Sequence, residues 1–214
     1  MFANELVQAF RSRTRDRGDP PFWSDEEILA WLSEAQMEAA TRARLLRTER
    51  PKIVQTNEQG WFECRDVYEI TRALAVEGHR RNWLKLVSEE WLDRRYPRWR
   101  DKWRMPPRWL LQYDTRLQVV PCHGPVTVHL EGYRFPCPIT KLDQEPEINR
   151  AHHLRLLDWM LYRAYRVQDA DSFDPTASDR AEMEFNRRFG PPVDADMRRK
   201  TRESTPQVNT THFV

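Results

Sequence analysis

The residues best equipped for chemistry crowd into one stretch, "YPRWRDKWRMPPRW", Tyr96 to Trp109. It holds three tryptophans, four arginines and a lysine against a single aspartate. Guanidinium groups neutralise phosphates and flat rings stack on bases, so the mixture suits a nucleic-acid surface. It suits a protein interface equally, where tryptophan, tyrosine and arginine are the usual anchors. Trp99 and Trp103 stand four apart and would share a helix face, so burial explains them most simply. Arg98, Arg100 and Arg104 would then line the wet or subunit-facing side. A second basic run, "RSRTRDR", sets Arg11, Arg13, Arg15 and Arg17 at a helix end, solvated or laid against DNA or an acidic neighbour.

Other reactive residue types do not gather. The loop "DADSFD", Asp169 to Asp174, resembles the start of a calcium loop. Phe173 sits at a ligand position, however, Asp174 replaces the required glycine, and Arg180 stands where a bidentate glutamate belongs. A helix–helix turn that caps the next helix is the expected reading. Cys122, His123, His129, Cys137, His152 and His153 show neither CxxC nor HExxH spacing. There is no GxGxxG, GxxxxGKS/T or GxSxG, and six glycines leave little for phosphate-cradling loops. The expectation is a protein without catalysis, metal or cofactor.

The chain has 214 residues, one ordinary domain with or without appendages. Its 35 basic residues against 33 acidic ones leave a net charge of only +2, far from the one-sided balance of a dedicated DNA-binding domain. Nine tryptophans supply bulk for a core in a chain that is 32% charged. Cys64, Cys122 and Cys137 are odd in number and read as reduced thiols of a cytosol-made protein. The opening "MFANELVQAF" is too short and acidic for a signal peptide, and no apolar run approaches the ~20 residues that span a bilayer. A soluble protein is expected.

The elements that must position these residues follow from periodicity and punctuation. Leu6, Ala9 and Phe10 share a face of a helix over about 3–14, broken at Gly18–Pro21. Ser24 with Glu27 forms a capping box, and Ile28, Leu32, Ala35, Ala39 and Ala43 carry a helix over about 25–46. Period-two runs predict a β insertion over about 66–136, with three antiparallel strands between 108 and 136. Ser88 caps a short helix to Arg95. Pro146 and Glu147 open a helix over about 147–167, with Leu154, Leu157, Leu161 and Ala164 on its apolar stripe. Asp174-Pro175 opens another over about 175–189, with Met183, Phe185 and Phe189 inward. The expected fold is mainly α: a helical bundle with a small inserted antiparallel sheet. Its expected core includes Trp23, Leu32, Trp99, Leu157, Leu161 and Phe189. Residues 1–190 form this body and 191–214 an extended tail.

Four stretches, in order, then resemble one family. "PPFWSDEEILAWLSEAQMEAATRARLL" is similar to the N-terminal helix of head-to-tail adaptor (connector, head-completion) proteins of tailed bacteriophages. "WLDRRYPRWRDKWRMPPRWLLQYDTRLQVVP" resembles their central segment and "VTVHLEGYRFPCPI" their closing strand and exit. "HHLRLLDWMLYRAYRVQDADSFDPTASDRAEMEFNRRFG" resembles their C-terminal helix pair. Met105 departs from the glycine expected before Pro106.

The resemblance, over roughly residues 1–190, implies a structural virion protein. It would form an oligomeric ring of twelve copies below the portal, extend the DNA channel and carry the tail. Implied partners are the portal protein, neighbouring subunits, tail or nozzle proteins and packaged double-stranded DNA held non-specifically, with no membrane. The implied location is the head–tail interface of the virion, after synthesis and assembly in the host cytoplasm. The tail "RRKTRESTPQVNTTHFV" is too polar to order alone. It is expected to lie on the portal or a neighbour through Arg198, Arg199, Lys200 and Arg202, with Phe213 and Val214 in an apolar pocket. The competing reading is a stand-alone nucleic-acid-binding protein using residues 79–109, where ten basic residues face four acidic ones.

Overall fold

The computed structural model describes residues 1–101, 105–113, 115–168 and 173–192. In chain order the elements are α1 (Ala3–Thr14), α2 (Asp25–Arg42), β1 (Lys52–Gln55), β2 (Trp61–Glu63), β3 (Val67–Glu77), β4 (Arg80–Val87) and α3 (Glu89–Arg95). There follow β5 (Trp109–Gln112), β6 (Arg116–Val120), β7 (Thr127–Arg134), α4 (Leu156–Tyr165) and α5 (Pro175–Phe189). They form two units, a helical one from Met1–Leu46 with Phe135–Pro192 and a strand-rich one from Arg47–Arg134.

The mainly-α expectation is corrected. All seven strands join one sheet, in the order β1-β7-β3-β4-β5-β6-β2, which curls into a barrel-like, nearly closed surface. The chain is an α+β protein, 39% helical and 24% strand, and its strands begin at β1, ahead of the insertion expected over about 66–136. The three strands expected between 108 and 136 are present as β5, β6 and β7, but β7 pairs with β1 and β3 and not with β6. β4 and β5 run parallel. Parallel neighbours need a crossover, and α3 with the segment up to Trp109 supplies it.

In the strand-rich unit the core is Phe62, Val67, Ile70, Leu84, Leu110, Leu117, Val128 and Leu130 with Ala73 and Ala75. The irregular pairing of β3 with β7 at Val67/Glu69 and Ile70/Arg72 resets the phase of β3. Ala73 and Ala75 therefore face the core while Leu74 and Val76 are partly exposed. The strands approach closely there. A Cβ on Gly132 would lie 2.2 Å from the Glu69 carbonyl oxygen, so glycine is the residue that fits. Gly78, at φ 57°, makes the two-residue turn from β3 to β4, a left-handed conformation natural to glycine.

In the helical unit α4 is central, packing on α1, α2 and α5. Leu6, Phe10, Ile28, Leu32, Leu156, Leu157, Met160 and Phe185 are fully enclosed. The α2 capping box is formed: Ser24 Oγ accepts from Glu27 N, and Glu27 Oε2 accepts from Ser24 N at 2.9 Å. These bonds hold the Glu27 carboxyl below its usual range. Ser24→Ala is expected to cost about 1 kcal/mol in denaturant unfolding. An unchanged midpoint would show that packing alone holds this end of α2.

Helix bounds differ from the sequence reading at two places. α2 ends at Arg42, and Arg44 turns left-handed at φ 53°. The helix expected from Pro146 opens only at Leu156, after a 3-10 stretch over Arg150–Arg155. Asn149 caps that stretch by accepting from Ala151 N at 2.9 Å, and the buried His153 ring meets the Ile148 carbonyl at 2.9 Å. The tighter turn throws Leu154 outward, 48% exposed; Met183 on α5 is also exposed, and Leu161 is only partly buried.

Candidate assembly surfaces

The basic run at the end of α1 is not a uniform patch. Arg11 is drawn inward: Nη1 donates to Asp16 Oδ2 at 2.5 Å, and Nη2 to Asp25 Oδ1 at 2.7 Å and to the Trp23 carbonyl at 2.9 Å. Asp16 is itself buried and accepts from the Phe22 amide at 2.7 Å. Arg11 thus fastens the loop that seats Trp23 and is spent on the fold. Arg13 reaches Asp158 at 3.6 Å, and burial pushes that carboxyl up against the pull of Arg13. Arg15, at φ 59°, ends the helix; Arg15 and Arg17 are exposed.

The 96–109 stretch resolves into a packed corner. Trp99 is 6% exposed in a cluster with Val87, Leu92, Trp109, Leu111 and Val120. Its Nε1 donates to Asp93 Oδ1 at 2.8 Å. Arg100 stacks over the indole at 4.3 Å and binds Asp93 and Glu89. The Arg100 and Trp99 bonds hold the Asp93 carboxyl below its usual range. Burial, with the adjacent Glu89 carboxylate, pushes the Tyr113 phenol up to about 12. Arg98 is exposed. The stretch's aromatic rings at 99 and 109 are therefore core, and Arg100 is neutralised by two carboxylates. Trp103 and Arg104 lie outside the described residues.

Two surfaces that the sequence reading missed stand out. In the strand-rich unit, cross-strand register sets Ile53 of β1 beside His129 of β7, His129 beside Leu74 of β3, and Leu74 beside Trp83 of β4. This forms one outward row across four strands, with Ile53 and Trp83 each 64% exposed. Arg81, Trp83 and Lys85 alternate outward along β4, and Arg72 lies 5.9 Å from the Trp83 ring. The signal was in "RRNWLKLV", where a tryptophan sits between cations at a spacing of two. In the helical unit a mostly apolar groove of about 520 Å³ runs along α2, lined by Leu29, Ala30, Met37 and Ile139 with Glu26 and Glu34.

Trp23, Leu32, Leu157 and Phe189 are buried in the helical unit. Arg198, Arg199, Lys200, Arg202, Phe213 and Val214 lie outside the described residues. Cys64 is buried, with its thiol pushed up by burial, Cys122 is half-buried and Cys137 is exposed. Among the described residues no three His, Cys, Asp or Glu side chains are grouped to hold a metal ion. No helix among them is long and apolar enough to cross a membrane.

Comparison with curated proteins returns no match. A family profile described as "SU10 adaptor protein", in contrast, matches residues 1–210, nearly the whole chain. The chain belongs to the SU10 adaptor protein family, a family of phage head–tail adaptors.

Proposed function

We propose that this structural adaptor forms an oligomeric ring below the portal, joins the capsid to the tail and extends the channel for the genome. The observation that carries the reading is the family match over residues 1–210. The two exposed apolar surfaces on separate units are consistent with a protein whose contacts are completed by neighbours. The ring has twelve copies, one for each portal subunit, with tail or nozzle proteins docked on its far side. The protein works in the virion at the head–tail interface after assembly in the host cytoplasm. The 198–214 segment docks on the portal through its cations and Phe213-Val214. Packaged DNA passes without sequence readout, because a net charge of +2 gives little grip. The reading as a stand-alone DNA-binding protein is weakened by the burial of Trp99 and Trp109.

Full-length protein mixed with purified portal rings of the same phage is expected to give a complex with one adaptor per portal subunit in native mass spectrometry. Duplex DNA should bind no more tightly than ~10⁻⁴–10⁻⁶ M, with steep salt dependence. Failure to join the portal, or sequence-selective DNA binding, would overturn the proposal.

A further inference from the structure

The two surfaces are both apolar and opposite in charge. The outward row of the strand-rich unit projects an indole and two aliphatic side chains, flanked on the β3–β4 hairpin by Arg80 and Arg81. Neither guanidinium has a hydrogen bond or ion pair among the described residues. The groove on α2 offers an apolar trough roomy enough for an indole, beside Glu26, which is likewise unpartnered among the described residues. Glu34 lines the same groove and shares its carboxylate with Arg163 at 3.3 Å. Two guanidinium groups without partners flank the knob at the hairpin end, and an acid without a partner lines the hole.

From this complementarity we infer that the occupant of the groove is the Trp83 face of a second copy of the chain. Trp83 with Leu74 fills the trough between Leu29, Met37 and Ile139, and Arg81 pairs with Glu26 of the neighbour. The contact joins different surfaces on the two copies, so a pair keeps one groove and one Trp83 face unfilled and the arrangement propagates until it closes. Duplex DNA is the poorer occupant, because Ile53 and Leu74 meet nothing apolar on a phosphate backbone. The inference rests on the adaptor reading above and assigns the lateral contact of its ring.

The test is a charge swap in the full-length protein, titrated onto portal rings and read by native mass spectrometry as copies per ring. Glu26, Arg81 and Trp83 are all exposed, so Glu26→Arg, Arg81→Glu and Trp83→Ala should keep wild-type melting curves. Wild type is expected to fill rings cooperatively. Each charge variant should still bind the portal but fill rings without cooperativity, at a midpoint about tenfold higher. Trp83→Ala should raise the midpoint about thirtyfold. The double variant Glu26→Arg/Arg81→Glu should recover most of the wild-type curve. Normal filling by the single variants, or no recovery in the double, overturns the contact. So does a loss in Arg81→Glu confined to binding of a 30-base-pair duplex, which would make the face a DNA surface. If wild type itself does not bind portal rings, the adaptor reading falls first and this inference with it.

Discussion

Replacing Trp99 with alanine is expected to destabilise the strand-rich unit by about 3–5 kcal/mol, the usual range for deleting a large buried aromatic side chain. The ring is 6% exposed and sits where α3 turns back towards β5. Its loss would leave a cavity lined by Leu92 and Val120, and it would remove the donor that holds Asp93. Arg100 would lose its stacking surface as well. Because β4 and β5 are parallel, they are joined through this crossover, and its corner sits directly beside their ladder. Trp99→Phe keeps much of the apolar area but loses the indole N–H and part of the ring volume, so about 1–2 kcal/mol is expected. Denaturant unfolding followed by circular dichroism checks both. An alanine variant as stable as wild type would mean that the corner is not held by packing.

Arg42→Ala should be the most damaging polar substitution in the helical unit, at about 2–4 kcal/mol. The side chain is 4% exposed, with Nε donating to Glu38 at 2.8 Å and Nη1 to Asn186 at 2.6 Å. Its guanidinium lies 4.8 Å from the Trp159 ring centre and 5.2 Å from that of Phe185. One cation thus ties α2 to α4 and α5. Breaking a fully buried ion pair costs about 3–5 kcal/mol; Glu38 is a third exposed and can rehydrate, which lowers the figure, while the lost ring contacts raise it again. Arg42→Met keeps the stem volume and is expected to lose about half as much. A methionine variant as unstable as the alanine one would show that charge and hydrogen bonds, and not bulk, secure the three helices.

How far the fold could be read depended on where each element keeps its information. α2 was legible because Ser24 and Glu27 mark its start in the chain itself. β4 was not, because its inward Asn82, Leu84 and Leu86 alternate with Arg81, Trp83 and Lys85, and the tryptophan blurs the contrast. β1 and β2 are four and three residues long, too short for any period to register. With those three strands unseen, the sheet looked small and the class looked mainly α. β3 shows a further limit: alternation was visible, but the irregular pairing decides which face points inward. The docking surfaces were the least legible part. Charge runs drew attention to Arg11 and Arg100, both consumed by internal partners, whereas the exposed row depends on register between four strands of which only β3 and β4 are neighbours in the chain.

The division of the chain also sets an order of events during synthesis. The strand-rich unit is continuous, Arg47–Arg134, whereas the helical unit is assembled from segments on either side of it. On the ribosome α1 and α2 emerge first, with Leu6, Phe10, Ile28 and Leu32 shaped for partners on α4 and α5 that have not been translated. The strand-rich unit, being contiguous, completes next as a unit. The nascent chain therefore carries an open apolar helix pair for the whole interval in which the sheet is being made. Slower translation through the strands is therefore expected to lengthen that exposure, and pulse-labelled chains should show it as longer holdase association.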